Sequence, residues 1–324
     1  MSSGSPDEIE TLGHHVEKSA AGSRPPSVSV GICAYTELDS TLRLVDEALA
    51  VHSPRFNVEE VIVATPNRAI VQQLKGKDPR VRVIAEERRE GKVTALRKVL
   101  KAATSEIFIH ISADVRLQPD AIPNLVQDLV DDPGCGAVVS HIKLVNRGGI
   151  VDRASVLIFT LFNNMNQMLN EEGKLGMLGD VYALRREAAT VPPADVINED
   201  AFIGLALRDM GYHIHKSKRA VVWIAGPRTP TDYIFQRTRI LFGHLQLIGE
   251  HKEFPTTFEV TTPKSPVRNL KVLGKTLGEL GPAYVPALGL AVILEVMCLG
   301  LAGASRAFHT SYKQWRVIQS TKQI

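Results

Sequence analysis

The feature that most constrains the fold is an alternation of β-prone and helical stretches over residues 28–140. Short runs rich in Val and Ile predict strands at residues 28–33, 60–65, 81–85, 106–111 and 137–140. Between them, apolar residues at helical spacing predict helices, most clearly at residues 91–103 and 119–129. This alternation is typical of a doubly wound, mostly parallel sheet with flanking helices, which binds its ligands at the carboxyl ends of the strands.

Composition excludes several classes of protein. The 324 residues are 44% hydrophobic and 23% charged, which excludes a wholly disordered chain and a polytopic membrane protein. The net charge is only +3, so nucleic acid is not an expected partner. Cys33, Cys135 and Cys298 form no C-x-x-C pair, so we expect neither a disulfide framework nor a zinc site.

The two ends of the chain differ from its middle. Residues 1–26 are polar and contain no apolar run, which predicts a disordered tail without a signal peptide. Residues 285–305 are almost entirely apolar, with Glu295 as the only charge, and match a bilayer core in length. A buried core helix is the alternative. Basic residues follow the segment, which conflicts with a single span from a cytoplasmic domain and leaves an in-plane or re-entrant helix open.

Candidate chemistry begins where the fourth predicted strand ends, in Ser112-Ala113-Asp114. A carboxylate at that edge faces the ligand crevice, where a hard divalent cation can bridge it to substrate phosphates. The alternative is an Asp that only caps the next turn. The loop after the first strand lacks G-x-G-x-x-G, which argues against a dinucleotide-dependent dehydrogenase.

Other candidates lie at helix N-termini. Arg89 and Lys92 flank the start of a predicted helix, which is either an anion site or a solvated charge run. Glu199 and Asp200 precede an apolar helix and offer a general base or merely a cap.

Gln236 and Arg239 form the last candidate pair. They are three residues apart and so share one face of a predicted helix. The Arg could clamp diphosphate oxygens bidentately. The alternative is an exposed arginine on a surface helix.

Taken in order, these pieces resemble the family-2 glycosyltransferases of GT-A fold. The motifs that carry the resemblance are VSVGICAYTE (28–37), REGKVTALRKVL (89–100), SADV (112–115), LGDVYALRRE (178–187), NEDAFIGLALRDMGY (198–212) and QRTRI (236–240). The closing WRVIQSTK (315–322) resembles the end of many membrane-bound members. The resemblance implies inverting transfer of a sugar from a UDP- or GDP-type nucleotide-sugar donor. The acceptor would be a glycan, a lipid-linked sugar or a polyprenyl phosphate, at the cytoplasmic face of a membrane.

The resemblance also implies roles for individual residues. Asp114, as the second Asp of the D-x-D motif, would hold Mn2+ or Mg2+ on the donor diphosphate, and Asp200, of the E-D motif, would be the base on the acceptor hydroxyl. Acceptor-binding residues would be Gly179, Asp180 and Glu199. Donor-binding residues would be Ala34, Tyr35, Glu37, Arg89, Lys92, Ala113, Asp114, Gln236 and Arg239.

The implied organisation is a catalytic domain over residues 27–250, with a nucleotide-sugar half (27–115) and an acceptor half (116–250). The C-terminal region, 251–324, carries the hydrophobic, membrane-associated helix. Some positions depart from the family pattern. Ser112 stands where an Asp is common, and residues 64–67 lack the acidic residues that help to hold the base. Ile240 stands where processive polysaccharide synthases carry Trp, which favours transfer of single sugars.

Two alternatives stay open. A nucleotidyltransferase of similar fold would carry a Gly-rich, Arg-containing loop after the first strand, and residues 31–35 are not such a loop. A non-catalytic, membrane-bound relative is compatible with the altered nucleotide-site residues. The pattern does not identify the donor sugar, the base, the acceptor or the oligomeric state.

Overall fold

The computed structural model describes residues 24–145, 148–248 and 265–308, together with residues 312, 318, 321 and 322. Most of the tail predicted for residues 1–26 lies outside the described residues, as does most of the closing motif at 315–322. The strands are β1 (Ser27–Cys33), β2 (Asn57–Thr65), β3 (Val81–Ala85), β4 (Ile107–Ser112), β5 (Val115–Leu117), β6 (Cys135–Val145), β7 (Val181–Arg185) and β8 (His213–Ala225).

Helices cover both faces of the sheet and then form a C-terminal layer. Those of the first half are α1 (Leu38–Leu49), α2 (Arg68–Leu74), α3 (Lys92–Ala102) and α4 (Ala121–Asp131). Those of the second half are α5 (Ile150–Glu171), α6 (Glu199–Asp209), α7 (Pro230–Ile248), α8 (Pro266–Leu280) and α9 (Val285–Ala307).

Within the described residues, the strands form one sheet in the order β3-β2-β1-β4-β7-β6-β8-β5. The first four pair in parallel, and β6 pairs with β8 in parallel. The strands β7 and β5 run antiparallel to their neighbours. The expected mostly parallel sheet is confirmed. Because β7 is antiparallel to β4, the residues that precede β7 lie beside the carboxyl end of β4, which brings a second chain segment to the ligand edge.

The central strands β1 and β4 are buried on both faces. Ile109 and Ile111 of β4 pack under α1 and α4, whereas Phe108 packs under α3 and α6. A Cβ at Gly31 would collide with the side chains of Val99 and Phe108, so glycine is required where α3 crosses β1. A strand buried on both sides is nearly continuous in apolar residues, which is why β1, β4 and most of β2 were predictable.

A third apolar cluster joins α5, α7, α8 and α9. One face of α9 is buried along its length through the small or apolar residues Ala287, Ala291, Leu294, Cys298 and Ala302. The opposite face exposes Val292, Ile293 and Val296. The stretch Pro282–Ala307 has mean hydropathy 2.2, long and apolar enough to cross a membrane by length and composition, with 28% of the window buried.

The one acidic residue of that apolar stretch has a partner on α7. Arg237 donates to Glu295 through Nε at 2.7 Å and Nη2 at 2.8 Å, and the Tyr233 hydroxyl donates to Oε1 at 2.5 Å. A bidentate pair of this kind is among the stronger hydrogen-bonded arrangements in proteins. The pair with Arg237 explains how the apolar helix α9 can carry the charged residue Glu295.

Candidate active site

A cavity of about 340 Å3 lies at the carboxyl ends of β1 and β4. Asp114 follows β4, and Asp200 lies in the first turn of α6, yet both line this cavity. All the other residues expected to bind donor, acceptor or metal line it too: Ala34, Tyr35, Glu37, Arg89, Lys92, Ala113, Gly179, Asp180, Glu199, Gln236 and Arg239. The topology therefore brings together motifs that are far apart in the chain.

The loop after β1 is held by the Glu37 carboxylate. Its Oε2 accepts hydrogen bonds from the backbone N–H groups of Tyr35 at 2.8 Å and Thr36 at 2.9 Å. The Arg89 guanidinium lies 4.4 Å from the centroid of the Tyr35 ring, within the range of a cation–π contact. These contacts define one wall of the cavity, with the Tyr35 ring as an aromatic face and the cationic groups of Arg89 and Lys92 nearby.

Asp114 is bound by a residue from the far end of the chain. The Lys322 ammonium lies 2.7 Å from Asp114 Oδ2 and 2.7 Å from Glu37 Oε1. Burial would lower the pKa of Lys322, but the two carboxylates outweigh it and raise that pKa. Burial raises the pKa of Glu37, but attraction to Lys322 and the backbone hydrogen bonds dominate and lower it.

Lys92 pairs with two acidic residues that line the cavity. Its Nζ lies 2.9 Å from Glu199 Oε1 and 3.8 Å from Asp180 Oδ1. Asp180 also accepts a hydrogen bond from the Ser112 hydroxyl at 3.3 Å, across the β4–β7 edge. The Gly179 N–H donates to Asp200 Oδ2 at 3.1 Å, and Gly179 has φ +79°, a conformation that favours glycine.

The two neighbouring carboxylates of α6 differ in proton affinity. Burial raises the pKa of Asp200 to about 6, and repulsion from Glu199 and Asp180 adds to the effect. Burial also raises the pKa of Glu199, but attraction to Lys92 and Arg239 outweighs burial and lowers that pKa below its usual range. The environment thus divides the pair into a stable anion and a carboxylate able to accept a proton near neutrality.

Helix α7 completes the wall. Arg239 is buried and donates to the Ile197 carbonyl through Nη2 at 3.0 Å. Asn198 donates to the Ile240 carbonyl at 2.8 Å, which ties α7 to the residue preceding Glu199. The Arg237 guanidinium contacts the Phe162 ring at 4.8 Å from its centroid while it binds Glu295.

Sequence reasoning missed three parts of the cavity. No role could be assigned to Lys322 from the sequence, where it is only the last residue of the closing motif. Glu86, which directly follows β3, lines the cavity and pairs with Lys98 at 2.8 Å. An apolar wall is formed by Ile142, Phe159, Phe162, Met165 and Met177. Three of these residues, Phe159, Phe162 and Met165, lie on α5, whose sequence is rich in Phe, Leu and Met.

The carboxylates that line the cavity suit a divalent cation whose other ligands are phosphate oxygens of the substrate. Among the described residues, no group of three or more His, Cys, Asp and Glu side chains is arranged to hold a metal ion by itself. Mg2+ is commonly held by one or two carboxylates together with substrate phosphates, and Mn2+ prefers the same oxygen ligands. The ammonium of Lys322 shows that a positive charge is accommodated between Asp114 and Glu37.

Comparison with known proteins gives a consistent result. The family model described as "Glycosyl transferase family 2" matches residues 29–190, half of the chain. Poly-beta-1,6-N-acetyl-D-glucosamine synthase of Staphylococcus aureus is 23% identical over 218 residues, covering 64% of this chain and 52% of that protein. The Staphylococcus epidermidis protein of the same name is 22% identical over 222 residues. The chain thus spans about half the length of these relatives.

A solved structure resembles almost the whole chain. A mannosyltransferase from Pyrobaculum calidifontis, in complex with GDP-Man and Mn2+, superposes with a TM-score of 0.59 at 18% identity. The match covers 95% of this chain and 92% of that one. At this identity the likeness concerns the fold, and it confirms the GT-A architecture.

Proposed function

This chain belongs to glycosyl transferase family 2, and we propose that it is an inverting, metal-dependent member that transfers single sugars. The donor is a UDP- or GDP-type nucleotide sugar, and the acceptor is the hydroxyl of a glycan or of a lipid-linked sugar. The observation that supports this proposal best is that Asp114 and Asp200 line one cavity. The catalytic domain comprises residues 27–250, with the donor half in 27–115.

Asp200 is the base in this proposal. A hydroxyl is a poor nucleophile, and a positioned base contributes about 10²–10⁴-fold to its reaction. Asp200 accepts the proton while the hydroxyl oxygen attacks the anomeric carbon. The bond from that carbon to the donor phosphate breaks, and the configuration inverts. Glu199 is less suited because Lys92 stabilises its ionised form at 2.9 Å.

The donor occupies the wall formed by the loop after β1, with Tyr35 and Arg89 near the nucleotide. Asp114 would hold a Mn2+ or Mg2+ ion together with oxygens of the donor diphosphate. As a Lewis acid, a bound ion would neutralise charge on the leaving nucleoside diphosphate. Arg239 adds positive charge on the opposite side of the cavity, where it balances the carboxylates of α6.

The apolar wall supports a lipid-linked acceptor. Phe159, Phe162 and Met165 line the cavity from α5, which also packs against the C-terminal helices. The exposed face of α9 carries Val292, Ile293 and Val296, which suits contact with a membrane. Because α9 is buried against α5 and α7 along its length, we place it in the plane of the membrane surface. A membrane-associated polyprenyl phosphate is the second acceptor class compatible with this wall.

We place the protein at the cytoplasmic face of a membrane. No disulfide joins Cys33, Cys135 and Cys298, and Cys33 lines the cavity, which suits a reducing compartment. Ile240 lies in the same wall as Gln236 and Arg239, where processive synthases carry Trp. This substitution supports transfer of one sugar per acceptor.

The test is donor consumption by the full chain with a panel of UDP- and GDP-sugars, with and without a chelator. We expect consumption that chelation removes and that Asp114→Asn abolishes. Asp209→Asn, at the exposed end of α6, is the matched control. Metal-independent turnover would contradict the proposal, and pyrophosphate release from a nucleoside triphosphate would identify a nucleotidyltransferase. Inertness toward every donor would indicate the non-catalytic relative.

A further inference from the structure

The C-terminal tail reaches the donor site. Ile318 and Thr321 are buried at 5% and 7% exposure, and with Lys322 they line the cavity. Earlier in the tail, the Tyr312 ring lies 4.8 Å from the Phe242 ring and its hydroxyl lies 2.9 Å from Ser305 Oγ. The described tail residues are therefore packed on the catalytic domain.

Lys322 contacts two carboxylates, those of Glu37 and Asp114, which have different roles. Glu37 is fixed by the backbone N–H groups of Tyr35 and Thr36, so its carboxylate is a stationary anchor. Asp114 is the carboxylate proposed to bind the divalent ion. Both carboxylates lie 2.7 Å from the same ammonium, whose side chain is only 26% exposed. A partly desolvated ion pair of this kind is costly to break without a replacement charge.

We propose that Lys322 is a resident counter-ion of the donor site, which a divalent cation must displace from Asp114. This inference rests on the proposed function, because it takes Asp114 as the metal-binding carboxylate. The tail and the metal compete for one carboxylate oxygen, so the tail lowers metal affinity in the donor-free enzyme. If the competent state is only a fraction of the population, the apparent dissociation constant rises by the inverse of that fraction. The tail therefore weakens the binding of a divalent cation when no donor is bound.

The first measurement is the affinity of the donor-free, full-length chain for Mn2+, followed by electron paramagnetic resonance. We expect Lys322→Met to bind Mn2+ several-fold more tightly than the wild type. Lys322→Arg, which keeps the charge, should stay close to wild type. Lys275→Met, which removes an exposed lysine of α8, should change nothing. Equal or weaker binding in Lys322→Met overturns the inference.

A second measurement separates displacement from a mere change in local charge. The chain has two tryptophans, Trp223 on β8 and Trp315 in the tail. With both replaced by Phe and a reporter introduced by Ile318→Trp at a buried tail position that lines the cavity, Mg2+ should change the emission, because the tail leaves Asp114. The same titration after Lys322→Met should produce no further change. If the emission does not change with Mg2+ although Mg2+ binding is measurable, the inference is overturned.

Failure of the proposed function has its own signature. If Asp114 is not a metal ligand, Asp114→Asn will leave Mn2+ binding unchanged, both in the chain that keeps Lys322 and in the Lys322→Met background. That pattern overturns both proposals together. Binding that Asp114→Asn abolishes, with no effect of Lys322→Met, overturns the tail inference alone.

Discussion

Glu199 and Asp200 are adjacent at the start of α6, but their surroundings lower the pKa of Glu199 and raise the pKa of Asp200. The Lys92 ammonium lies 2.9 Å from Glu199 Oε1, whereas Asp200 Oδ2 accepts a hydrogen bond from the Gly179 N–H at 3.1 Å. The pair therefore separates into an anchored anion and a carboxylate with raised proton affinity. This division is the basis of the first two predictions.

Asp200→Asn should reduce transfer by about 10²–10⁴-fold, since an amide cannot accept the acceptor proton. Donor binding should persist because Asp200 lies on the acceptor side. The measurements are kcat for transfer and the donor dissociation constant by calorimetry. The matched control is Asp209→Asn at the end of the same helix. Transfer near the wild-type rate would show that Asp200 is not the base, as expected if the acceptor were an already ionised lipid phosphate.

The rate should fall as pH drops through about 6, because burial raises the pKa of Asp200 to that value and the protonated acid cannot act as a base. Repulsion from Glu199 contributes to the shift, so Glu199→Gln should lower the pKa of Asp200 and move the acid limb to lower pH. The measurement is the pH profile of kcat at saturating substrates. An acid limb that stays in place or moves upward in this variant would contradict the assignment.

Lys92→Met should destabilise the fold by about 3 kcal/mol, because it leaves the buried carboxylate of Glu199 without its partner. The double variant Lys92→Met, Glu199→Gln should recover part of the loss. Urea unfolding measures both. The control is Lys275→Met, whose pair with Glu279 is exposed and long at 3.9 Å, so its loss should be within about 0.5 kcal/mol. Equal effects of Lys92→Met and Lys275→Met would refute the argument.

Arg237→Met should cost about 3 kcal/mol, since it leaves Glu295 charged between apolar helices. Replacing both residues by Met should cost less than replacing Arg237 alone. A double-mutant cycle in detergent micelles, with thermal melting as the readout, measures the coupling. Additive losses would mean that the two side chains act independently.

Ile293→Glu combined with Val296→Glu should reduce binding to lipid vesicles while the protein stays folded, because both side chains are exposed on α9 at 66% and 67%. Ala302→Glu, on the buried face of the same helix, should instead destabilise the fold. Cosedimentation with vesicles and circular dichroism separate the two effects. Vesicle binding that survives the double substitution would place the membrane contact elsewhere.

The first half of the sheet was predictable because its strands are rich in Val and Ile: β1, β2 and β4 are largely buried on both faces, and the edge strand β3 keeps the same composition. Strand β3 was predicted with its observed bounds, and β4 within one residue at each end. The strands β5, β7 and β8 were not predicted. β5 has only three residues, and β7, with the sequence VYALR, is as long as β3 but has fewer β-branched residues. β8 contains Lys216, whose burial depends on Asn163 of α5 accepting a hydrogen bond from its ammonium at 2.7 Å. A contact between segments that are far apart in the chain leaves no local pattern in the sequence.

The same limit applies to the candidate site. Ala34, Tyr35, Ala113 and Asp114 follow predicted strands, so the rule that ligands bind at the carboxyl ends of strands places them at one edge. Gly179 and Asp180 precede β7, which was not predicted, and only the resemblance suggested them. Lys322 lies 208 positions from Asp114 in the chain, and only the folded tail brings the two together.

Hydrogen bonds connect the apolar C-terminal helix to the helix that carries the acid pair. Glu295 of α9 binds Arg237 of α7, and the Ile240 carbonyl of α7 accepts from Asn198, the residue just before Glu199. If α9 lies in the membrane surface as proposed, an extraction procedure that pulls it off the catalytic domain would strain this chain of contacts and disturb the part of the cavity lined by Glu199 and Asp200. A preparation that is soluble and monodisperse but inactive is therefore the expected result of a harsh detergent. Lipid nanodiscs are the better starting point for enzymology.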